Sequence, residues 1–334
     1  MAIVFMDGFE KYATSITRFL LEWPACGNGA TVDQAGRFGG YSLRENGGGS
    51  GNFISRYFTA LSTFIHQFNF KTSAGTGLIW YYREAGTSHL LVELTAANKI
   101  IVKRGDGTTL ATGTTTITNA TWFYLQIKAK IHDTTGSVQI KVNGTDEINI
   151  SGVDTRNGAT GVVDNIWMGE SSQREYDDMV FMDTSGSSLN DFLLERRIET
   201  LLVDGAGATT QWTPSAGANF ENVDDPISGI DDDTTYNKSS TTGQKDTFSF
   251  GNLSGIAGTI SAVQVNMVTR KDDAGLHSVK PVVRHSGTDY DGTEVFLPEQ
   301  YVYKRQVYTT NPGTSAAWTV ANVNAAQFGY KLIS

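Results

Sequence analysis

The residues able to do chemistry in this 334-residue chain are few and scattered. Cleaving a glycosidic bond needs two carboxyl groups flanking one sugar linkage, one as acid and one as nucleophile or base. On a strand such a set shows as alternating acids, because side chains two apart share a face. No Glu-x-Asp-x-Glu run exists; Glu93 stands alone in Leu91-Val92-Glu93-Leu94. Asp177 and Asp178 are adjacent, and a regular strand would point them to opposite faces. The histidines, His66, His89, His132, His277 and His285, are dispersed. His277 and His285 share a strand face, but the interval, with Pro281 inside it, is too long for a metal-ligand pair. Cys26 is the single cysteine, which excludes an intrachain disulfide and a cysteine zinc site. The run Gly47 to Gly51, GGGSG, lacks the Lys and helix of a phosphate loop and reads as a plain loop. These absences predict a chain that is not an enzyme.

Two constellations could bind rather than react. Trp80 alternates with Tyr82, and Trp122 with Tyr124. If their strands share a sheet, four aromatics line its non-core face, where they would stack on a host sugar or pack against another subunit. The run from Glu221 to Asp233 holds Glu221, Asp224, Asp225, Asp231, Asp232 and Asp233 with no basic residue. Ca²⁺ is the one cofactor these oxygens suit, with Asp231 and Asp233 as candidate ligands, although the spacing is not that of an EF-hand. A solvated acidic turn explains the same residues.

The elements that must position these groups are strands. The clearest is a hairpin from Asn119 to Ile150. Phe123, Leu125, Ile127, Ala129 and Ile131 fall on one face, and Trp122, Tyr124, Gln126, Lys128 and Lys130 on the other. Val138, Ile140 and Val142 repeat the pattern in the second arm, with a turn at Asp133 to Ser137 between. Asn143-Gly144 predicts a further strand folding back over Glu147 to Ile150. Strands are also predicted at Ile3–Phe5, Ser62–Phe70, Leu78–Arg83, His89–Leu94, Lys99–Arg104, Asn165–Met168 and Asp177–Phe181. Their hairpin-like spacing describes an antiparallel sandwich or barrel. Thr14 to Trp23 fits either a helix or an irregular strand. Ser187 to Leu202 predicts a helical turn over Leu189–Leu194 and then a strand. Asp204-Gly205-Ala206-Gly207-Ala208 reads as the joint between domains 1–203 and 204–334. The second domain is predicted all-β and smaller, with strands at Asp246–Phe250, Ile260–Thr269, Ser278–His285, Tyr301–Tyr308 and Gln327–Ile333.

Composition agrees with strands and turns: 36 Gly, 39% apolar and only 18% charged residues. The net charge of -9 argues against a nucleic-acid surface, which would need clustered Lys and Arg. Residues 1–200 hold 17 Lys and Arg against 21 Asp and Glu, and residues 201–334 hold 9 against 14, so neither half is basic. No apolar run approaches the roughly 20 residues of a membrane span. The start, MAIVFMDGFE, lacks the basic region of a signal peptide.

In order, FMDGFEKYAT, GRFGGYSLR, TWFYLQIKAKIHDTTGSVQIKVNG and YDDMVFMD resemble the concanavalin A-like or laminin G-like jelly roll, in the version found in virion proteins of tailed bacteriophages. The resemblance covers about residues 1–203. Gln211-Trp212-Thr213-Pro214-Ser215, Asp246-Thr247-Phe248, Thr309-Thr310-Asn311-Pro312 and Ala325 to Tyr330 resemble a C-terminal module of phage structural proteins. The resemblance implies an all-β chain: a jelly-roll sandwich, then a smaller β-sandwich. It further implies a virion component, made in the host bacterial cytoplasm and exposed as a head decoration or head fibre. Other virion proteins would be its partners, and a homo-oligomer, taken as a trimer, its assembly. The alternative is a tail-fibre protein recognising host carbohydrate. By analogy with lectin-like folds, Asp7 and Asp178 join the candidate Ca²⁺ ligands at the sandwich rim.

Overall fold

The computed structural model describes residues 3–26, 30–33, 36–46, 53–73, 76–169, 173–225, 230–255 and 258–334. The GGGSG loop and the Cys26 side chain lie outside the described residues. The chain divides into two compact units, Met1–Ile198 and Glu199–Ser334.

The first unit is a sandwich of two antiparallel sheets. The front sheet runs Thr145–Val153, Gly136–Val142, Phe123–Lys130, Thr63–Thr72, Arg174–Asp183, Ser42–Glu45, Ala30–Asp33, with Ile3–Asp7 also paired to Arg174–Asp183. The back sheet runs Thr109–Thr116, Lys99–Arg104, Thr87–Leu94, Gly77–Glu84, Val163–Gly169, Phe53–Leu61, Ala25–Cys26. Aromatic rings join the two: Phe64 to Tyr82 at 4.5 Å, Trp80 to Tyr176 at 5.3 Å and Phe58 to Phe181 at 4.4 Å between centroids. Such offset and edge-on pairs contribute beyond the apolar area they bury.

The hairpin takes the predicted faces. Leu125, Ile127 and Ala129 are buried in the core, and Gln126 and Lys128 lie on the opposite face. Asn143 and Gly144 have φ of 50° and 81°, the left-handed pair that a tight two-residue turn requires. Gly136 acts differently from the expected turn residue. It opens the next strand, where a Cβ would lie 2.2 Å from Thr155 Oγ1 and 2.6 Å from the Val153 carbonyl. Between Tyr12 and Trp23, Ser15 caps a short helix over Ile16–Leu20.

Two expectations fail for one physical reason. Leu189 to Leu202 forms neither helix nor strand, and its irregular first part crosses the front sheet as a strap. Its backbone groups are met by side chains of the sheet, which outcompete local helical bonds. The joint also moves. Val203–Thr210 is a strand paired with Lys245–Phe250, and Leu201 packs against the second core. Its glycines are there for contact: a Cβ on Gly207 would lie 2.3 Å from the Thr247 carbonyl.

The second unit has a six-stranded sheet ordered Val203–Thr210, Lys245–Phe250, Gln327–Leu332, Ser278–His285, Thr288–Asp291, with Val295–Phe296 beside Ser278–His285. The hairpin Val263–Thr269 with Val302–Tyr308 contributes Val265 and Met267 to a core with Val279, Val283, Trp318 and Phe328.

Candidate functional site

The front sheet presents a polar outer face that is buried. Gln67 lies directly opposite Gln126, and Asn69 opposite Tyr124, across adjacent strands. All four are at most 3% exposed; the strap lies over Gln67, Gln126 and Tyr124, and Arg37 and Asp178 bond to Asn69. The Leu193 N–H donates to Gln67 Oε1 at 2.9 Å, and Gln126 Nε2 donates to the Leu193 carbonyl at 2.7 Å. Gln126 Nε2 also donates to Gln67 Oε1 at 2.9 Å, which fixes both amides. The Tyr124 hydroxyl donates to the Leu194 carbonyl at 3.3 Å, and the Ile198 N–H to Asp178 Oδ1 at 2.6 Å. Lys128 pairs with Asp191, and Arg37 with Glu195, along the margins. The sheet therefore binds the main chain of the strap through two side-chain amides, a hydroxyl and a carboxylate.

Beside this seat is a group of buried acids. The strand Arg174–Asp183 carries a bulge between Asp177 and Val180, with Asp178 at φ 49°. The bulge breaks the alternation expected for adjacent residues and leaves both aspartates buried and interacting. Asp177 Oδ2 accepts the Arg37 N–H at 2.7 Å, and Asp178 Oδ2 accepts from Asn69 Nδ2 at 2.9 Å. Burial and then repulsion from Asp178 raise the Asp177 carboxyl; burial raises Asp178 as well. Glu10 joins them. Burial, then the Asp177 charge, pushes it up to about 9, and its Oε2 is buried with no hydrogen-bond partner among the described residues. Glycines make the room. A Cβ on Gly40 would lie 3.1 Å from Glu10 Oε1, and one on Gly36 the same distance from Asp177 Oδ2. At neutral pH Glu10 and Asp177 keep protons that ordinary carboxyls have released.

The predicted Ca²⁺ ligands do not form a cation cage. Asp7 accepts from the Tyr12 hydroxyl at 2.6 Å, the Trp23 indole at 3.1 Å and the Phe9 N–H at 3.1 Å. Burial pushes its carboxyl up, but Lys11 and Arg56 with these hydrogen bonds outweigh it and hold the pKa low. The oxygens of Asp178 are taken by two N–H donors, as above. Asp231 Oδ1 closes a turn onto the Thr235 N–H and hydroxyl. Asp233 accepts from Arg270 and the Tyr301 hydroxyl. Among the described residues no group of three or more His, Cys, Asp or Glu is placed to hold a metal ion.

The aromatic prediction is corrected as well. Trp80 and Tyr82 belong to the back sheet, Tyr124 to the front sheet, and Trp122 immediately precedes that front strand. Trp80 and Tyr82 are fully buried between the sheets, and Tyr124 lies under the strap. Trp122 is half-buried, with the Lys71 ammonium 4.7 Å from its ring. The aromatics on the outer face of the back sheet are different ones. Tyr81 stacks on Trp167 at 5.0 Å and Trp167 on Phe53 at 5.8 Å. The run Trp80-Tyr81-Tyr82 is aromatic on both faces, so sequence parity gave no way to choose. Trp167 is thus stacked between Tyr81 and Phe53.

No family model matches the chain, and no curated protein matches it. Solved structures do. Alginate lyase Aly36B is 14% identical over 53% of this chain and 96% of its own, with a TM-score of 0.37. A Trypanosoma rangeli sialidase is 12% identical over 48% of this chain and 29% of its own, TM-score 0.35. The carbohydrate-binding module CBM66 from Bacillus subtilis is 12% identical over 43% and 87%, TM-score 0.31. The likeness at these identities reaches the β-sandwich fold alone. With enzymes among the matches, the sequence-based exclusion of an activity no longer stands.

Proposed function

We propose that this chain is a structural component of a tailed-phage particle, displayed on its surface as a head decoration or head fibre. The observation that carries the reading is the closed front sheet. The polar face that could have held a ligand is filled by the chain's own strap, as suits a building block rather than an open receptor. The order of sequence motifs resembling phage virion proteins supports it. The first and last of them meet through pairing of Ile3–Asp7 with Arg174–Asp183. On this reading other virion proteins are its partners. The carbohydrate-receptor alternative loses its platform, since Trp80, Tyr82 and Tyr124 are buried.

Mass spectrometry of density-purified particles of the encoding phage tests the proposal. The chain is expected at a fixed copy number per particle. Its absence from particles, with abundant free protein in the lysate, would refute the proposal.

A further inference from the structure

We propose that the seat on the front sheet also accepts the strap of a second copy of this chain, so that copies join by exchanging residues 190–198. Four of the contacts that hold the strap are made to its main chain, and all are identical in every copy. Leu193 N–H and carbonyl, Leu194 carbonyl and Ile198 N–H are the bound groups, and the receiving side chains Gln67, Gln126, Tyr124 and Asp178 are fixed in the sheet. Exchange of an identical element re-forms every one of these bonds in the partner, so it costs little beyond the entropy of association.

Three features favour exchange. First, the strap reverses direction. The strand Arg174–Asp183 ends with Asp183 opposite Phe64, and the strap then runs back from Lys128 towards Asp178. The reversal falls on the Thr184–Leu189 hinge, which is largely exposed. Second, the hinge is strained: Leu189 sits at φ 56°, a left-handed conformation that a bulky L-residue rarely adopts. An opened hinge escapes that strain. Third, much of the strap faces solvent. Leu193 is buried, but Leu194 is 80% exposed, and the flanking pairs Lys128–Asp191 and Arg37–Glu195 are partly solvated. Against exchange stands the tether, which supplies the chain's own strap at an effective concentration on the order of millimolar. Exchange therefore wins where copies are packed at comparable local concentration, or where the hinge cannot turn back.

The test shortens the reversal. Deleting Gly186, Ser187 and Ser188 from the full chain leaves four residues between Asp183 and Asp191 and so disfavours return of the strap to its own sheet. Size exclusion with light scattering is expected to show a folded dimer or larger closed oligomer. Adding Gln67→Ala and Gln126→Ala is expected to return it to monomer. A folded, monomeric deletion variant would overturn the proposal, as would an oligomer indifferent to the two seat substitutions. If the deletion variant does not fold, Leu193→Pro in the full chain takes its place, since proline has no N–H for Gln67. A fluorescent peptide of residues 190–198 should then bind the vacated seat saturably, and about tenfold more weakly when Gln126→Ala is added. A folded Leu193→Pro variant that does not bind the peptide would equally overturn it.

Discussion

Glu10 shows how the burial of a single group sets a pH dependence. Its carboxyl is raised to about 9, against roughly 4.3 for an ordinary glutamate. Between those values the folded chain holds a proton that the unfolded chain has released, so stability falls as pH rises. The contribution is fully present below the ordinary carboxyl range and is lost as pH passes through about 9. Thermal melts of the full chain from pH 5 to pH 9 should show the first unit losing stability steadily. Glu10→Gln, neutral throughout, should flatten that slope and gain most at pH 9; an unchanged slope would contradict the burial argument. Asp7 is the opposite case. It is ionised, buried and surrounded by donors, with Arg56 3.5 Å away and itself paired to Glu22 at 2.6 Å. Asp7→Ala removes the acceptor of the Tyr12 hydroxyl and the Trp23 indole and leaves Arg56 less compensated. It should cost about 3–5 kcal/mol in urea unfolding.

At the scale of elements, glycine positions separate turn from contact. Gly144→Ala meets open space and costs only its positive φ, about 1 kcal/mol. Gly136→Ala drives a Cβ into Thr155 and the Val153 carbonyl and should cost more. The urea midpoints of the two variants check the order. These elements also show what a sequence discloses. The hairpin was legible because one face is buried along its whole length, which writes a period of two into the chain. The strap was not. Leu189, Phe192, Leu193 and Arg196 fall at helical spacing, while the groups that satisfy the backbone come from Gln67, Tyr124 and Gln126, distant in sequence. The acidic group was hidden likewise, because the bulge at Asp177-Asp178 overrides strand parity. Glu10, 167 residues before Asp177, gave no local signal of joining it. The single sign available was the glycines of DGFE and GRFGG, which leave space for carboxyl groups.

At the scale of the whole molecule, each unit buries its own core. Phe68, Trp80 and Tyr176 pack together in the first, and Trp318, Phe328 and Val283 in the second. Calorimetry should resolve two transitions. Phe328→Ala should lower one of them, by an amount equivalent to about 3–5 kcal/mol, and leave the other in place. A single transition shifted as a whole would contradict separate cores. The central claim is that the chain is a displayed part of a phage particle, and an electron cryo-microscopy map of the purified particle tests it most directly. Both β units are expected to fit density at regular positions on the particle exterior. A complete map with every external density assigned to other chains would contradict it.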